Sequence, residues 1–228
     1  MPRFRSVVVL HHPDDSTGCL MDIAPELGLE LSVTTVDALP DPAEVEHAIV
    51  LGSPESAYDE RLPWLVREQA WLRALITASV PVFGICFGSQ ALARALGGIV
   101  HRNHVPEIGW TPVDTSDPDL VAPGPWMNFH FDAFTVPPAA TSVATTQLAP
   151  QAYLRDRCMG VQFHPEITEG MFRSWLSAWG SSPASARMLA ELGDLPDRLL
   201  AELIQRGETN TKACFALLDG FLSRVAQR

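Results

Sequence analysis

No stretch of the chain approaches the ~20 consecutive apolar residues that a membrane-spanning helix needs, although 46% of its 228 residues are hydrophobic. The apolar content is instead divided into short pieces, as a globular core requires. Positive charge is also scarce. Lys and Arg number 16 against 27 Asp and Glu, for a formal net charge of −11. Nucleic-acid and anionic-membrane surfaces need clustered cations, and no block here reads as a basic arm, so neither partner is expected. The cysteines Cys19, Cys86, Cys158 and Cys214 form no CxxC pair. This speaks against a zinc site or a disulfide framework and fits a reducing compartment. The opening MPRFRSVVVLHHPDD has an apolar run too short for a signal-peptide core, with His and Asp directly after it. The expectation is a soluble, cytoplasmic protein. A GxxxxGK[ST] phosphate loop is missing, so nucleotide chemistry is not expected. There is no internal repeat or low-complexity tract.

What is present is an alternation of strand-like and helix-like segments. Ser6–Leu10, Leu31–Val36, His47–Leu51 and Val80–Ile85 are short runs suited to buried parallel strands. Between them, Leu20–Leu27 and Pro63–Ala78 have helical spacing. In the second, Trp64, Val66, Trp71, Leu72 and Leu75 recur on one side. This order predicts a doubly wound, mostly parallel α/β sheet flanked by helices, of flavodoxin-like type. After Gly98 the texture changes to short β-like pieces (GWTPV, FDAFTV, TSVATT, QAYLRD, MGVQF) separated by Pro, Asp and Gly. They predict a small mixed β extension of the sheet. From Thr168 onward MFRSWLSAW, PDRLLAELIQRG and TKACFALLDGFLSRVAQ predict a C-terminal helical extension, with SSPAS near residue 183 as a turn. The expected division is a catalytic domain over 1–168 and a helical extension over 169–228 packed on the same domain.

The most informative stretch is VPVFGICFGSQALARALGG, residues 80–98. Cys86 lies between Gly84 and Gly88 where a strand turns into a helix. Ligands of open α/β sheets collect at such strand ends. A nucleophile on a tight strand-to-helix turn leaves no room for bulky neighbours, and the two glycines remove them. The helix N-terminus beyond it favours thiolate over thiol, and the turn aims the Phe87 amide at an oxyanion forming beside the sulfur. The alternative is a small buried core residue, a common fate of free cysteine. A nucleophile also needs a base. In GVQFHPE, residues 160–166, an apolar strand delivers His164, Pro165 stiffens the exit, and Glu166 follows. An imidazole keeps a thiolate ionised and protonates a leaving amine, and a carboxylate fixes its tautomer. By themselves these residues also fit a strand-capping histidine beside a solvated glutamate.

Taken together, GICFGSQ and GVQFHPE resemble the class I, triad-type glutamine amidotransferases, and within them the free-standing domains similar to the glutaminase part of GMP synthetase. The resemblance runs from about Ser6 to about Thr168. It implies Cys86 as nucleophile, His164 as general base and acid, and Glu166 as the orienting carboxylate. Leu51-Gly52-Ser53-Pro54-Glu55-Ser56 resembles the family's Gly-Gly-Pro-Glu-Ser loop and implies the Gly52 amide as second oxyanion donor with Phe87, although Leu51 and Ser53 flank a single glycine. Gln90 matches a glutamine that contacts the substrate's amino-acid end. FHFDAF, residues 129–134, is similar to the family's Trp-His-Gly-Asp-x-Phe segment and implies substrate contacts from His130 and Asp132, with Phe131 in place of the usual glycine. Glu107-Ile108-Gly109-Trp110 resembles a stretch lining the same pocket, with Glu107 as a further contact. Without that context Asp132 also reads as a turn residue and Gln90 as a solvated helix residue.

The implied chemistry is attack of Cys86 on the side-chain amide of glutamine or of a γ-glutamyl amide, with release of ammonia and glutamate and no metal or organic cofactor. Three fates of the function follow. The chain supplies ammonia to a separate synthetase subunit, or acts alone as a γ-glutamyl hydrolase or peptidase, or is a catalytically quiet binding protein on this fold. His11-His12-Pro13-Asp14-Asp15 after the first strand is expected to be a loop near the site, and His101/His104 a solvated loop, rather than metal ligands. Trp64/Trp71 and Trp175/Trp179 are expected to be packing faces. An exposed Trp175/Trp179 face would instead suit a second copy in a homodimer.

Overall fold

The computed structural model describes residues 6–12, 15–181 and 183–226, with the side chains of 183–185 also outside the described residues. Pro13, Asp14 and Ser182 of the expected SSPAS turn therefore lie outside them, while the rest of that segment is taken into the two helices on either side of Ser182. The central sheet has eight strands in the order β2-β1-β3-β4-β10-β9-β8-β6. β1 (Ser6–Leu10), β2 (Leu31–Thr35), β3 (His47–Val50), β4 (Val82–Ile85) and β10 (Cys158–Val161) run parallel. β9 (Pro150–Arg155), β8 (Thr141–Thr145) and β6 (Asp114–Thr115) continue the same sheet antiparallel. The expected extension is thus the far half of the sheet, joined through β10, whose MGV residues pair with β4.

Period-two alternation divides the side chains between two cores. From β1, Val7 and Val9 enter one cluster with Leu65, Trp71, Leu72 and Leu75 of α2 (Pro63–Thr77) and Leu92 of α3 (Phe87–Ala95). Val8 and Leu10 enter the other, with Leu20 and Ile23 of α1 (Leu20–Ile23) and Leu217, Leu218, Phe221 and Val225 of α6 (Leu195–Ala226). Helices on both faces make the sheet doubly wound.

Two features depart from the expected elements. β5 (Val100–Thr111) and β7 (Trp126–Phe134) form a separate two-stranded antiparallel ribbon with an irregularity between Arg102 and Glu107. The expected pair of C-terminal helices is one 32-residue helix, α6, running through Gly207. Its buried positions Leu199, Leu203, Asn210, Cys214, Leu217 and Phe221 stay in phase across the glycine, so tertiary burial outweighs the ~1 kcal/mol helix penalty of glycine. The front half of α6, with α4 (Glu169–Ser181) and α5 (Pro183–Leu192), encloses a third cluster containing Met127, Phe129, Phe172, Trp175 and Trp179. The Trp175/Trp179 side is therefore turned into the molecule. Trp71 is buried and Trp64 partly so, both against the α2–α3 side of the sheet. Among the described residues no helix is long and apolar enough to cross a membrane.

Candidate active site

The parallel strands deliver their carboxyl ends to one rim. β1 leads into His11, β3 into Leu51-Gly52, β4 into Cys86, and β10 through Gln162 to His164. Cys86 has φ 51° and ψ −111°, a left-handed conformation that a non-glycine residue adopts at a cost of about 1–3 kcal/mol. It caps the N-terminus of α3, and its amide donates to the Val161 carbonyl at 2.8 Å. The two glycines are sterically required. A Cβ at Gly84 would lie 2.5 Å from the Gly88 carbonyl oxygen, and one at Gly88 would lie 2.0 Å from that of Val50.

His164 stands between the other two candidate residues. Its Nδ1 donates to Glu166 Oε1 at 2.8 Å, and Cys86 lies close enough to the ring to act on its ionisation. All three side chains are buried, with Cys86 retaining 7% exposure. Burial alone would pull the imidazole's pKa down. The charge of Glu166, reinforced by its hydrogen bond, and the neighbouring Cys86 more than reverse this and raise it to about 10. The arrangement therefore favours a protonated imidazole at neutral pH, the partner a thiolate requires. Gly52 lies against both groups. A Cβ there would be 3.1 Å from His164 Cε1 and 3.8 Å from Cys86 Cβ.

The remaining expected residues form a buried polar layer between the β5–β7 ribbon and the sheet. Gln90 Nε2 donates to the Asp132 carbonyl at 3.1 Å and to Gln162 Oε1 at 3.2 Å. Asp132 accepts from Ser56 Oγ at 2.6 Å, which ties the Gly52 loop to β7, and meets Arg102 Nη1 at 3.4 Å. His130 Nδ1 lies 2.9 Å from the Asp132 carbonyl and its Nε2 3.3 Å from Glu107 Oε2. Glu107 also accepts from Thr146 and Gln151. Burial would raise its pKa, but the contacts with His130, Thr146 and Gln151 leave it lowered. Both Glu107 oxygens thus meet protein groups, one layer behind His130. Phe131 packs edge-on to Phe129 and under the Arg102 guanidinium, 4.6 Å from its ring centre, on the opposite face of β7 from His130 and Asp132. Ser53 Oγ donates to Glu55, which also meets His12 Nε2 at 3.3 Å. His101 and His104 are exposed, and among the described residues no group of three or more His, Cys, Asp or Glu could hold a metal ion.

Several further residues meet the site; Gln162 lies inside the GVQFHPE segment, while Trp175 and Asn210 carry no local signal of a role here. Gln162 Nε2 lies 3.7 Å from Cys86 Sγ. Trp175 presents its ring edge-to-face to His164, with centroids 4.9 Å apart. Asn210 of α6 donates to the carbonyls of Pro165 and Ile167 at 2.9 and 3.1 Å, holding the segment that carries Glu166. On the other side of that segment the Cys19 amide donates to the Glu166 carbonyl at 2.9 Å, an approach open only because Gly18 has no Cβ.

Residues 15–178 match the model of the glutamine amidotransferase class-I family. The chain belongs to the class I glutamine amidotransferases. It is 32% identical over 215 residues to the glutamine-hydrolysing GMP synthase of Aeropyrum pernix, a match covering 88% of this chain and 40% of that protein. With the corresponding synthase of Mycobacterium leprae it shares 42% identity over 130 residues, 53% of this chain and 23% of that protein. It thus spans less than half the length of the synthases it matches. Among solved structures, a glutamine amidotransferase from Thermotoga maritima superposes with a TM-score of 0.82 at 26% identity over 100% of both chains. A further one from Methylobacillus flagellatus shares the fold, with a TM-score of 0.82 at 22% identity over 97% of this chain and 95% of that one. The mostly parallel sheet with its helical C-terminal extension is the fold of this family.

Proposed function

We propose that this class I glutamine amidotransferase hydrolyses the side-chain amide of glutamine through a Cys86–His164–Glu166 triad. The observation that carries the reading is the single buried imidazole hydrogen-bonded to a buried carboxylate on one side and neighbouring Cys86 on the other, with Gly52 against both. The Cys86 thiolate attacks the amide carbon, and the resulting oxyanion takes hydrogen bonds from the Gly52 and Phe87 amides. His164 gives its proton to the amide nitrogen, the C–N bond breaks, and ammonia leaves a γ-glutamyl thioester on Cys86. Neutral His164 then takes a proton from water, hydroxide adds to the thioester carbon, and the C–S bond breaks. Glutamate departs and the thiolate–imidazolium pair is restored. Glu166 holds the imidazole in the tautomer and orientation both steps need. Gln90, His130 and Asp132 shape the end of the pocket that holds the amino-acid part of the substrate, with Glu107 supporting His130.

The ammonia goes to a separate synthetase subunit. This rests on the relatives named as GMP synthases. The test is release of glutamate and ammonia from glutamine and from γ-glutamyl peptides by the wild type and by Cys86→Ala. Release from glutamine that Cys86→Ala abolishes supports the reading, and a rise on adding cell extract supports the separate acceptor. Robust release from γ-glutamyl peptides alone would make the chain a self-sufficient hydrolase. No release from either would overturn the catalytic reading.

A further inference from the structure

His11 was expected only to lie in a loop near the site, yet its ring is buried directly behind the proposed oxyanion donors. Nδ1 lies 3.0 Å from the Gly52 carbonyl oxygen, and Nε2 lies 3.0 Å from Glu68 Oε1 of α2. Both side chains are 0% exposed. The imidazole also stands edge-to-face against Phe87, with centroids 4.6 Å apart, and 5.3 Å from the Trp64 ring. It therefore touches both residues whose amides are assigned to the oxyanion.

The Gly52 contact has a geometric consequence. A trans peptide points its C=O and N–H in opposite directions. The Leu51 carbonyl accepts from the Gly88 amide at 3.0 Å, which turns the Gly52 N–H away from α3. That fixes the peptide before Gly52 only. Glycine is the residue whose next dihedral is least restrained, and the loop has a single glycine, followed by Ser53. The His11 bond to the Gly52 carbonyl fixes the peptide after it. With both flanking peptides held, the Gly52 N–H keeps the direction set by the Gly88 bond and the loop cannot swing about the glycine.

We propose that His11, held by the buried carboxylate of Glu68, is a positioning residue that holds the peptide after Gly52, so that the loop presenting the Gly52 amide keeps its place at the oxyanion site, and sets a positive charge behind the hole. The assignment rests on the proposed role of Gly52 and Phe87 in glutamine hydrolysis. A carboxylate accepts and does not donate, as does a carbonyl, so an imidazole bonded to both carries a proton on each nitrogen. Burial opposes that charge, but Glu68, the Gly52 carbonyl and Asp15 more than offset it, so the pKa of His11 is raised. An isolated Glu68 carboxylate buried in α2 would be strongly unfavourable. The His11–Glu68 contact accounts for its presence there.

The test separates steps that build an oxyanion from a step that does not. Glutamine hydrolysis by the wild type, His11→Ala, His11→Gln and Glu68→Gln is compared with the rate at which iodoacetamide alkylates Cys86 in each. Alkylation is substitution at a saturated carbon and forms no oxyanion. The expected result for His11→Ala is a fall in kcat of about 10- to 100-fold, short of the ~10²–10³-fold loss when an oxyanion donor is deleted outright. KM should change by less than about threefold, and alkylation should stay near the wild-type rate. His11→Gln, which keeps an N–H for the Gly52 carbonyl, should recover part of the loss. Thermal melts identify any variant that fails to fold, and if His11→Ala does, His11→Gln and Glu68→Gln decide, each with a kcat loss and normal alkylation. An unchanged kcat in the folded variants, or an equal fall in alkylation, overturns the proposal. A wild type that is alkylated at Cys86 but hydrolyses no γ-glutamyl amide overturns the functional reading instead.

Discussion

The Cys86–His164 pair makes its own pH prediction. His164 ionises at about 10 in the folded protein against an ordinary value of 6.5, so folding favours its protonated form. The stability this contributes is fully present below pH 6.5 and is lost as the pH rises through about 10. Glu166 supplies much of that shift. In Glu166→Gln, the melting temperature should fall less between pH 7 and pH 10 than in the wild type, and kcat should fall by about 10²-fold or more through loss of tautomer control. Equal pH slopes in the two proteins would contradict the assignment. At this scale the sequence was most legible where sterics dictate residue type. Gly84 and Gly88 announce the turn because nothing larger fits, and His164 and Glu166 share one short segment. Asn210 reaches the site only through tertiary packing, 45 positions along the chain from the Pro165 carbonyl it holds, and no local pattern marks it; His11 and Gln162 lie in segments the sequence singles out, but their contacts, 41 and 76 positions away, are set by the fold.

Among elements, α6 tests how tertiary burial overrides local propensity. Gly207 suggested a break, yet the apolar stripe continues in phase and the helix runs on. A Cβ at Gly207 would meet nothing within 4 Å, so Gly207→Ala should stabilise by ~1 kcal/mol and raise the melting temperature by about 2–4 °C. A lower melting temperature would mean that the helix needs the glycine. Asn210, one turn away, is predicted to behave oppositely. Asn210→Ala removes the donor to Pro165 and Ile167 and leaves buried carbonyls unpaired, at about 1–3 kcal/mol. It should lower kcat as well as stability, because the freed segment carries Glu166. A stability loss with unchanged kcat would limit α6 to packing. The β5–β7 ribbon was the least legible element. VHRNHVPEIGWT carries an internal proline and no clean alternation, so its strand character comes from pairing with β7 rather than from its own residues.

Over the whole molecule, the fold class was legible because strands and helices alternate through the first hundred residues and only a parallel sheet accommodates that order. The packing of the C-terminal helices was not, since an amphipathic helix does not state which surface it covers. They complete two of the three hydrophobic clusters and place Trp175 on the His164 ring and Asn210 on the Glu166 segment. The site therefore depends on the chain from β1 to α6. The central claim is that one sulfur, paired with one imidazole, attacks a glutamine side chain. Incubation with an electrophilic glutamine analogue, followed by mass analysis of the labelled peptide, tests it most directly. The account predicts a single adduct on Cys86 that forms in step with loss of glutamate release and is slowed by excess glutamine. Glutamate release that persists in Cys86→Ala, or an active protein labelled only at Cys19, Cys158 or Cys214, would contradict it.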